Sequence, residues 1–326
     1  MERRSRDRPA TRGFMNRNWT RADIPDLSQK VVVITGANGG LGLASARALA
    51  DKGATVILAC RNEQKATAAL ESLQRERSDA KVHALPLDNA SLDSVRAFAD
   101  LFRKRYDRLD ILLNNAGVMA IPRALTVDRF EMQFGVNHLA HFALTSMLLG
   151  IITRTPGARI HNVTSSASFT GDIDFDDPMG ETQYGRWKAY GQSKLANVLF
   201  TFELQRRLRI ASHDTIVNTS HPGLVLGNLQ ANSVAQSGTT LEAWGYRLMR
   251  PILAQDIRTG VLPMLFGMAA PEARGGVLYG PRWFNLHGRP AEKRPPRAAL
   301  DLQARARLWA LSETLTGVQY GLPSNG

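Results

Sequence analysis

The sequence predicts an α/β fold, a single doubly wound domain built on a mostly parallel sheet of seven strands. From residue 24 onward, short β-branched or apolar segments alternate with longer segments in which apolar residues recur at helical spacing, the pattern of a parallel sheet with helices on both faces. Several strands, such as the one containing Ile111-Leu112-Leu113, are apolar without interruption, as expected for strands covered on both sides. The predicted strands are residues 31–35, 55–60, 81–87, 110–114, 158–164, 215–220 and 277–279.

Helices are predicted between these strands, and one more follows the last strand. Residues 224–256 differ from the other connections, because small polar residues come first and Trp244, Tyr246, Leu248 and Met249 follow. This segment comes after a strand end, where ligands lie in such folds, so we expect it to cover a substrate. An ordinary helical insertion is the alternative. The predicted helices lie near residues 40–52, 62–77, 91–106, 128–152, 188–211, 257–270 and 304–316.

Composition indicates a protein with a sizeable core and reduced thiols. The chain has 326 residues, of which 44% are hydrophobic, enough to form one large α/β domain. Its one cysteine, Cys60, lies in a strand-like segment, so we expect a buried, inert thiol and a cytoplasmic location. The longest apolar stretch, residues 139–152, is shorter than the ~20 residues that a membrane span needs. It predicts a buried core helix and no transmembrane segment.

The formal net charge of +12 is concentrated near the two ends of the chain. Residues 1–21 hold seven arginines and two acids, and residues 282–307 hold seven basic and two acidic residues, so each segment carries +5. We predict that residues 1–23 form a disordered basic extension to a domain of residues 24–326, and that the basic C-terminal segment is also solvated. Such ends attract anionic surfaces without specificity. No fold signature of specific nucleic-acid recognition is found in the sequence.

A glycine-rich turn directly follows the first predicted strand. The run Thr35-Gly36-Ala37-Asn38-Gly39-Gly40-Leu41-Gly42 separates four β-branched residues from a segment with helical spacing. Glycines permit a sharp turn and let a phosphate approach the backbone. The N-terminus of the helix that follows offers free N–H groups and a positive dipole end. Strand, turn and helix together predict a dinucleotide site, and a plain glycine-rich turn between core elements is the alternative.

Two further patterns predict a reaction centre. Tyr190 and Lys194 lie four residues apart at the start of a predicted helix, and therefore on one face. A nearby ammonium lowers the pKa of a phenol from its usual value of ~10, which suits proton exchange with a substrate oxygen. An exposed helix pair is the alternative. Residues 114–117 and 162–166 place amides and hydroxyls at the carboxyl ends of two predicted strands, where ligands bind in open α/β sheets.

The motifs of this chain, and the order in which they occur, resemble those of the short-chain dehydrogenase/reductase family over about residues 27–280. Residues 134–139 and 311–317 further resemble its retinol dehydrogenase-like branch. The resemblance implies a Rossmann-type, NAD(P)-binding domain that acts on CH–OH groups, interconverting an alcohol and a carbonyl by hydride transfer, and it leaves homo-oligomer formation open. The matching motifs are Thr35-Gly36-x-x-x-Gly40-x-Gly42, Asn114-Asn115-Ala116-Gly117, Asn137, Ser165, Tyr190-x-x-x-Lys194 and His221-Pro222-Gly223.

The resemblance also implies a role for each matching residue. Tyr190 would be the catalytic acid/base, and Lys194 would lower its pKa and hold the nicotinamide ribose. Ser165 would bond the substrate oxygen, and Asn137 would support a water and proton relay. Asp88 would contact the adenine amino group, and Asn114 and Ala116 would flank the adenosine ribose. The residues expected to bind the cofactor are Gly36, Asn38, Gly40, Leu41, Gly42, Arg61, Asp88, Asn114, Ala116, Tyr190, Lys194, Pro222, Gly223 and Val225.

Arg61 bears on the choice of cofactor. An acid at the end of the second strand normally accepts from the ribose 2′-hydroxyl of NAD, but here that end reads Ala59-Cys60-Arg61. An arginine can instead form charge-assisted bonds to a 2′-phosphate. We therefore expect NADP in preference to NAD, with an ordinary surface arginine as the alternative.

Other features leave the activity and the substrate open. Gly227 stands where the family usually has a hydroxyl that bonds the nicotinamide carboxamide, so a catalytically weak dinucleotide-binding sensor or scaffold protein is the alternative function. Apolar residues within 244–253 favour a lipophilic small-molecule substrate. His138 and His141 lie three residues apart without an acidic or thiol partner nearby in sequence. We therefore interpret them as core or amide-bonded histidines and expect no metal site.

Overall fold

In the computed structural model of the protein, described here for residues 18–225 and 255–324, the strands form one eight-stranded sheet in the order β3-β2-β1-β4-β5-β6-β7-β8. Strands β1 to β7 pair in parallel, whereas β8 runs antiparallel to β7. The predicted α/β class is thereby confirmed. The strands are β1 Val31–Thr35, β2 Thr55–Cys60, β3 Val82–Pro86, β4 Ile111–Asn114, β5 Arg159–Val163, β6 Ile216–Ser220, β7 Leu278–Trp283 and β8 His287–Lys293.

The sheet is covered on both faces because successive side chains of a strand point in opposite directions. In β1, Val32 and Ile34 belong to one buried cluster and Val33 belongs to the other. Helices Gly40–Ala50, Glu63–Glu76 and Ile257–Ala269 pack on the first face. The second face carries helices Leu92–Arg105, Met132–Arg154, Arg186–Ile210 and Leu302–Thr316.

The predicted count of seven strands is wrong by one, because β8 was not recognised. Its sequence, His287–Lys293, contains Pro290 and four charged or titratable side chains and has no run of apolar residues. Such a composition is typical of a sheet edge, where proline and charge prevent further pairing. Pairing with β7 makes this segment a strand, and that long-range contact has no signal in the local sequence.

Helix Met132–Arg154 lies in the core, as predicted for residues 139–152. It is the one helix of the described residues that is long and apolar enough to cross a membrane, and 83% of its most apolar window is buried inside the protein. A π-helical turn, Gly135–Leu139, interrupts it, with the Ala140 N–H donating to the Gly135 carbonyl. Such turns are frequent at functional sites.

The packed domain begins before residue 24, contrary to the predicted boundary. Trp19 is buried, and its ring meets that of Phe266 edge-on at 5.3 Å between centroids. Arg289 donates to the carbonyl of Asn18 at 2.7 Å. One large aromatic side chain buries enough apolar surface to anchor a terminal segment, but a single tryptophan produces no periodic signal. The remainder of the predicted extension, residues 1–17, lies outside the described residues.

The basic C-terminal segment is folded, so the interpretation of residues 282–307 as a solvated end is wrong. It contains β8, a 3₁₀-helix at Arg297–Leu300 and the beginning of the last helix. The guanidinium of Arg305 lies 5.1 Å from the centre of the Phe202 ring. Arginine stems and guanidinium planes cover apolar and aromatic surface, so a high density of arginines does not by itself indicate disorder.

Candidate active site

The glycine turn after β1 has the shape of a phosphate cradle. Gly36 has a φ of +66°, and a Cβ there would lie 3.0 Å from the Cα of Ala116. A Cβ on Gly42 would lie 2.5 Å from the Gly36 carbonyl oxygen, whereas a Cβ on Gly40 would meet nothing within 4 Å. The turn is therefore tightly packed on its inner side and open at Gly40, where a helix begins with free N–H groups. These residues fit a pyrophosphate.

Asn115, which the residue-by-residue prediction did not include, holds this turn against the end of β4. Its side-chain amide donates to the carbonyl of Thr35 at 2.8 Å. The backbone N–H groups of Asn115 and Ala116 both donate to the Thr35 hydroxyl, at 2.8 and 2.9 Å. The ends of β1 and β4, where the strand order reverses, are thus joined directly. Position 115 lies within the recognised Asn-Asn-Ala-Gly motif, so the signal was present.

His141 extends this network toward Asn137. Its Nδ1 lies 3.0 Å from the backbone carbonyl of Asn137, so Nδ1 carries the proton, because a carbonyl can only accept. Nε2 then accepts from the Thr35 hydroxyl at 2.9 Å and from the Asn89 amide at 3.0 Å. Burial lowers the pKa of His141 to about 4, which keeps the ring neutral. As predicted, this histidine is bonded to amides.

The other histidine of this helix is also a core residue. His138 Nε2 lies 2.9 Å from the Ser312 hydroxyl, and aromatic rings surround the imidazole. Within the described part of the chain, no group of three or more His, Cys, Asp and Glu residues is arranged to hold a metal ion. The thiol of Cys60 is buried, which raises its pKa to about 11. The prediction that this thiol is buried is therefore confirmed.

Tyr190 and Lys194 lie together near the amino end of helix Arg186–Ile210, both buried. The Lys194 Nζ atom is 5.8 Å from the centre of the Tyr190 ring. Burial raises the pKa of Tyr190, and a hydrogen bond with the Ser165 side chain acts in the opposite direction. Burial also lowers the pKa of Lys194 to about 8. The net shift of the Tyr190 pKa is upward, because burial of the phenol outweighs its hydrogen bond with Ser165.

Asn137 lies within the π-helical turn, and both the oxygen and the nitrogen of its side-chain amide form hydrogen bonds. Oδ1 accepts from the N–H of Val118 at 2.8 Å, and Nδ2 donates to the Val118 carbonyl at 2.9 Å and to the Ser193 hydroxyl at 2.9 Å. A Cβ on Gly117 would lie 2.9 Å from Asn137 Oδ1 and 3.4 Å from Lys194 Nζ. Asn137 and Lys194 therefore border the same small space beside Gly117.

Ser165 follows the end of β5 and begins the 3₁₀-helix Ser166–Phe169. Its hydroxyl accepts from the Ala167 N–H at 3.3 Å, and the residue is half-buried. The bond fixes the direction of the side chain, and the hydroxyl faces Tyr190. Two hydroxyl groups thus converge at the carboxyl edge of the sheet, where a substrate oxygen could accept from both.

The residues predicted to bind the adenosine end fall into two groups. Arg61 is 74% exposed, and its Nη1 lies 4.0 Å from Asp88 Oδ1, so both side chains border one solvent-exposed area. The side chain of Asn114 does not point toward this exposed area. Its buried amide donates to Thr145 at 3.0 Å and to Asn162 at 2.8 Å, so only the backbone of Asn114 is left to flank the ribose as predicted. The last residue of β4 points into the core because of the alternation along a strand.

The segment after β6 can offer the nicotinamide mainly backbone groups. Gly223 has a φ of +76°, and a Cβ there would lie 2.3 Å from the Leu286 carbonyl oxygen. Leu224 donates to that same oxygen at 3.0 Å, and the Val225 side chain packs against Gly260. Pro222 follows buried His221. Gly227 and the remainder of the predicted covering segment up to residue 254 lie outside the described residues.

Comparison with known proteins agrees with this geometry. A family model described as short chain dehydrogenase matches residues 30–238. The chain belongs to the short-chain dehydrogenase family. It is 39% identical to human retinol dehydrogenase 13 over 301 residues, covering 92% of this chain and 87% of the relative, which also agrees with the retinol dehydrogenase-like branch. Members of this family are oxidoreductases, and this chain is an oxidoreductase that acts on CH–OH groups.

Two solved structures share the fold of this chain. A protein from Mycobacterium paratuberculosis is 40% identical, with a TM-score of 0.76 and coverage of 93% of this chain and 99% of that chain. L-Sorbose reductase from Gluconobacter frateurii, solved with NADPH and L-sorbose, is 21% identical, with a TM-score of 0.63 and coverage of 78% and 95%. The predicted Rossmann-type architecture is confirmed by these matches.

Proposed function

We propose that the protein is an NADP-dependent oxidoreductase that interconverts an alcohol and a carbonyl on a lipophilic small molecule, with Tyr190 as the acid/base. The observation that carries this proposal is the convergence of the Tyr190 and Ser165 hydroxyls beside buried Lys194, at the same edge of the sheet as the glycine cradle. A nicotinamide dinucleotide held by that cradle would supply the hydride.

In the direction of reduction, Tyr190 would donate its phenolic proton to the substrate oxygen. Burial raises its pKa, so the group is protonated at neutral pH, as a proton donor must be. Ser165 would hold the same oxygen through a second hydrogen bond. The protein residues thus position the oxygen and provide its proton in one place.

Lys194 has N–H groups available for the ribose hydroxyls. Its Nζ donates to the Val163 carbonyl at 3.4 Å, which is a long bond, and makes no other hydrogen bond with a residue that the structure describes. A buried ammonium without strong partners is costly. Ribose oxygens would satisfy it, and its positive charge would also favour release of the proton from Tyr190 in the direction of oxidation.

The preference for NADP is supported by Arg61. Its side chain is exposed, and Asp88, its one ion-pair partner within the described ranges, lies at the limiting distance of 4.0 Å, so the guanidinium is available to a 2′-phosphate. β2 ends at Cys60 without an acid that would accept from the 2′-hydroxyl of NAD. The NADPH bound by L-sorbose reductase agrees with this choice for the fold.

The lipophilic substrate and the cytoplasmic location are parts of the same proposal. The first is supported by the similarity to a retinol dehydrogenase. The second is supported by the buried thiol of Cys60, which suits a reducing compartment. Cell fractionation with an antibody against the native protein tests the location, and recovery in the membrane pellet would contradict it.

The experiment that tests the activity is consumption of NADPH and of NADH at 340 nm with a panel of aliphatic aldehydes, aromatic aldehydes and ketones. We expect turnover with NADPH, faster for longer apolar chains, and slower turnover with NADH. Tight NADPH binding without turnover of any compound would instead favour the dinucleotide-binding sensor or scaffold. Equal use of both cofactors would contradict the role of Arg61.

A further inference from the structure

A cavity of about 690 Å³ opens on the protein surface between three segments that are far apart in sequence. This volume is in the range of small-molecule sites. The first segment follows Ser165, the second is the turn between β7 and β8, and the third leads from β8 toward the last helix. The lining residues are Phe169, Gly171, Phe284, Asn285, Lys293, Arg294, Pro295, Pro296, Arg297 and Ala298.

The cavity adjoins the reaction centre. The backbone at Gly171 packs on that of Gly191, since a Cβ on Gly171 would lie 2.5 Å from the Gly191 oxygen, and Gly191 follows Tyr190. The ring of Phe169 meets that of His221 edge-on at 5.9 Å between centroids. Two lining residues of the cavity thus contact the neighbourhood of the reaction centre, Gly171 through the residue after Tyr190 and Phe169 through His221.

The charged residues that line the cavity are all cations. Three of its lining residues are cations, Lys293, Arg294 and Arg297, and none is an acid. Arg294 and Arg297 are exposed, and neither makes a hydrogen bond or ion pair with any residue in the described ranges. By contrast, nearby Arg274 is paired with Glu292 at 2.5 Å.

Lys293 adds to this excess of positive charge. Its Nζ donates to the Arg282 carbonyl at 3.1 Å. Partial burial and the neighbouring Arg282 guanidinium lower its pKa, because both disfavour the protonated form. An anion bound in the cavity would relieve this repulsion.

The other lining surface is apolar. Phe284 is 85% exposed, and Phe169, Pro295 and Pro296 add further apolar surface. An aromatic and proline-lined cavity with unpaired guanidinium groups suits a molecule with an apolar body and an oxyanion, because guanidinium binds carboxylate and phosphate through paired, charge-assisted hydrogen bonds.

We propose that this cavity binds the part of the substrate remote from the reacting carbon, and that the substrate is a lipophilic carbonyl compound or alcohol carrying a carboxylate or phosphate at its far end. The inference rests on the proposed function for the position of the reacting carbon. Arg294 and Arg297 are the residues that recognise the anion, and Phe169 and Phe284 contact the apolar body.

Equilibrium binding tests the proposal without turnover. The protein, saturated with NADPH, which cannot accept a hydride from an alcohol, is titrated by calorimetry with 12-hydroxydodecanoate and with its methyl ester. We expect the acid to bind about 10-fold more tightly, the effect of one or two charge-assisted hydrogen bonds, and the difference to shrink as salt is raised. Equal affinities for acid and ester in the wild-type protein would overturn the proposal.

Two double variants separate local recognition from general charge. Arg294→Gln/Arg297→Gln should bring the acid to within about 3-fold of the ester while binding of the ester stays unchanged. Arg75→Gln/Arg209→Gln removes the same charge from two exposed arginines that do not line the cavity, and should keep the preference for the acid. A preference that survives the first change, or an equal loss in both variants, would contradict the assignment.

Competition distinguishes the two kinds of anion. Dodecanoate and dodecyl phosphate should each displace 12-hydroxydodecanoate more effectively than dodecanol does, and the tighter of the two identifies the oxyanion that the cavity prefers. Displacement by both anions no better than that by dodecanol would count against an anion site.

Turnover then separates this inference from the proposed function. With 12-oxododecanoate and its methyl ester as substrates for NADPH oxidation, the wild-type protein should favour the acid in kcat/KM by about 10-fold. Turnover of both compounds at equal efficiency supports the oxidoreductase and refutes the anion site. Tighter binding of the acid without turnover of either compound supports the anion site and refutes the proposed function.

Discussion

The carboxyl edge of the sheet, which carries the glycine cradle and the reaction centre, is here called the cleft. Polar groups are buried and hydrogen-bonded at its inner end, beside the ends of β1 and β4, whereas they are exposed to solvent at its outer rim. At the inner end, Thr35, Asn137 and His141 are buried and connected by hydrogen bonds of 2.8–3.0 Å to one another and to neighbouring amides. At the rim, Arg61 and Arg294 are exposed. The only acid near Arg61 among the described residues is Asp88, at the limiting distance of 4.0 Å.

This difference follows from the cost of desolvation. A buried polar group without a partner destabilises the folded state, so the inner groups are tied to one another and their geometry is shared with the rest of the core. An exposed guanidinium keeps its water and contributes little to stability. Changes at the inner end should therefore affect stability and chemistry together, whereas changes at the rim should affect ligand choice alone.

The largest expected effect is at the inner end, on catalysis. Tyr190→Phe keeps the buried ring and removes the proton donor, so carbonyl reduction should slow by about 10²–10⁴, with NADPH affinity within about 2-fold of the wild type. Steady-state rates and fluorescence titration with NADPH measure the two effects. Tyr106→Phe, a change at a half-buried tyrosine outside the cleft, is the control. Near-native turnover by Tyr190→Phe would refute the mechanism.

The next effect tests whether the inner hydrogen bonds stabilise the fold. His141→Phe leaves the Thr35 hydroxyl, the Asn89 amide and the Asn137 carbonyl without this partner, so the free energy of unfolding should fall by about 2–4 kcal/mol. His138→Phe, in the same helix but among aromatic rings, loses one bond to Ser312 and should cost less than about 1.5 kcal/mol. Urea denaturation at pH 7 measures both. Equal losses would show that ring size and not hydrogen bonding decides stability here.

A change at the rim should have a separate effect. Arg61→Gln should weaken NADPH binding by about 10- to 100-fold through loss of charge-assisted bonds, with NADH binding and the Tm unchanged. Arg75→Gln, on the helix that follows β2, is the control and should alter neither cofactor. Fluorescence titration with each cofactor provides the affinities. A fall in Tm comparable to that of His141→Phe would abolish the distinction between rim and interior.

The smallest expected effect is a gain in stability on removal of a functional group. Lys194→Met removes a buried ammonium and should raise the free energy of unfolding by about 1–2 kcal/mol at pH 7, while lowering cofactor affinity and turnover. Lys188→Met removes an exposed lysine of the same helix together with its surface ion pair to Asp174, and should change stability by no more than about 0.5 kcal/mol. A less stable Lys194→Met protein at pH 7 would show that its hydrogen bonds outweigh desolvation.

The difference in free energy of unfolding between Lys194→Met and the wild-type protein should depend on pH in a definite direction. The pKa of Lys194 is lowered from 10.5 to about 8 in the folded protein, so between these values the unfolded chain binds more protons. The wild-type protein therefore gains stability relative to Lys194→Met as the pH rises from about 8 to 10.5. Urea denaturation at pH 7 and pH 10 should show the advantage of the variant decreasing.

Local elements were predictable because their signals are local. The β-branched run of β1, the glycines after it and the helix beginning at Gly40 lie within twenty residues of one another. Likewise, the four-residue spacing of Tyr190 and Lys194 places them on one helix face in any fold. The carboxyl-edge positions of Ser165 and Asn115 followed once the strands were recognised as parallel.

Other features depended on contacts between distant residues. The direction of the Asn114 amide is decided by Thr145 and Asn162, and the burial of Trp19 is decided by Phe266. Burial raises the pKa of Tyr190, because the elements packed around the phenol remove it from water, and residue spacing carries no information on desolvation.

The sequence by itself determined the α/β class, the glycine cradle, the tyrosine–lysine pair and the family. Turn chemistry and hydrophobic periodicity act over a few residues, so they can be read in order along the chain. Only the tertiary structure decided that His287–Lys293 forms an eighth strand, that His141 links Thr35 to Asn137 and that Arg294 and Phe169 line one cavity. Each of these depends on strand pairing, burial or the meeting of distant segments, which are properties of the folded chain as a whole.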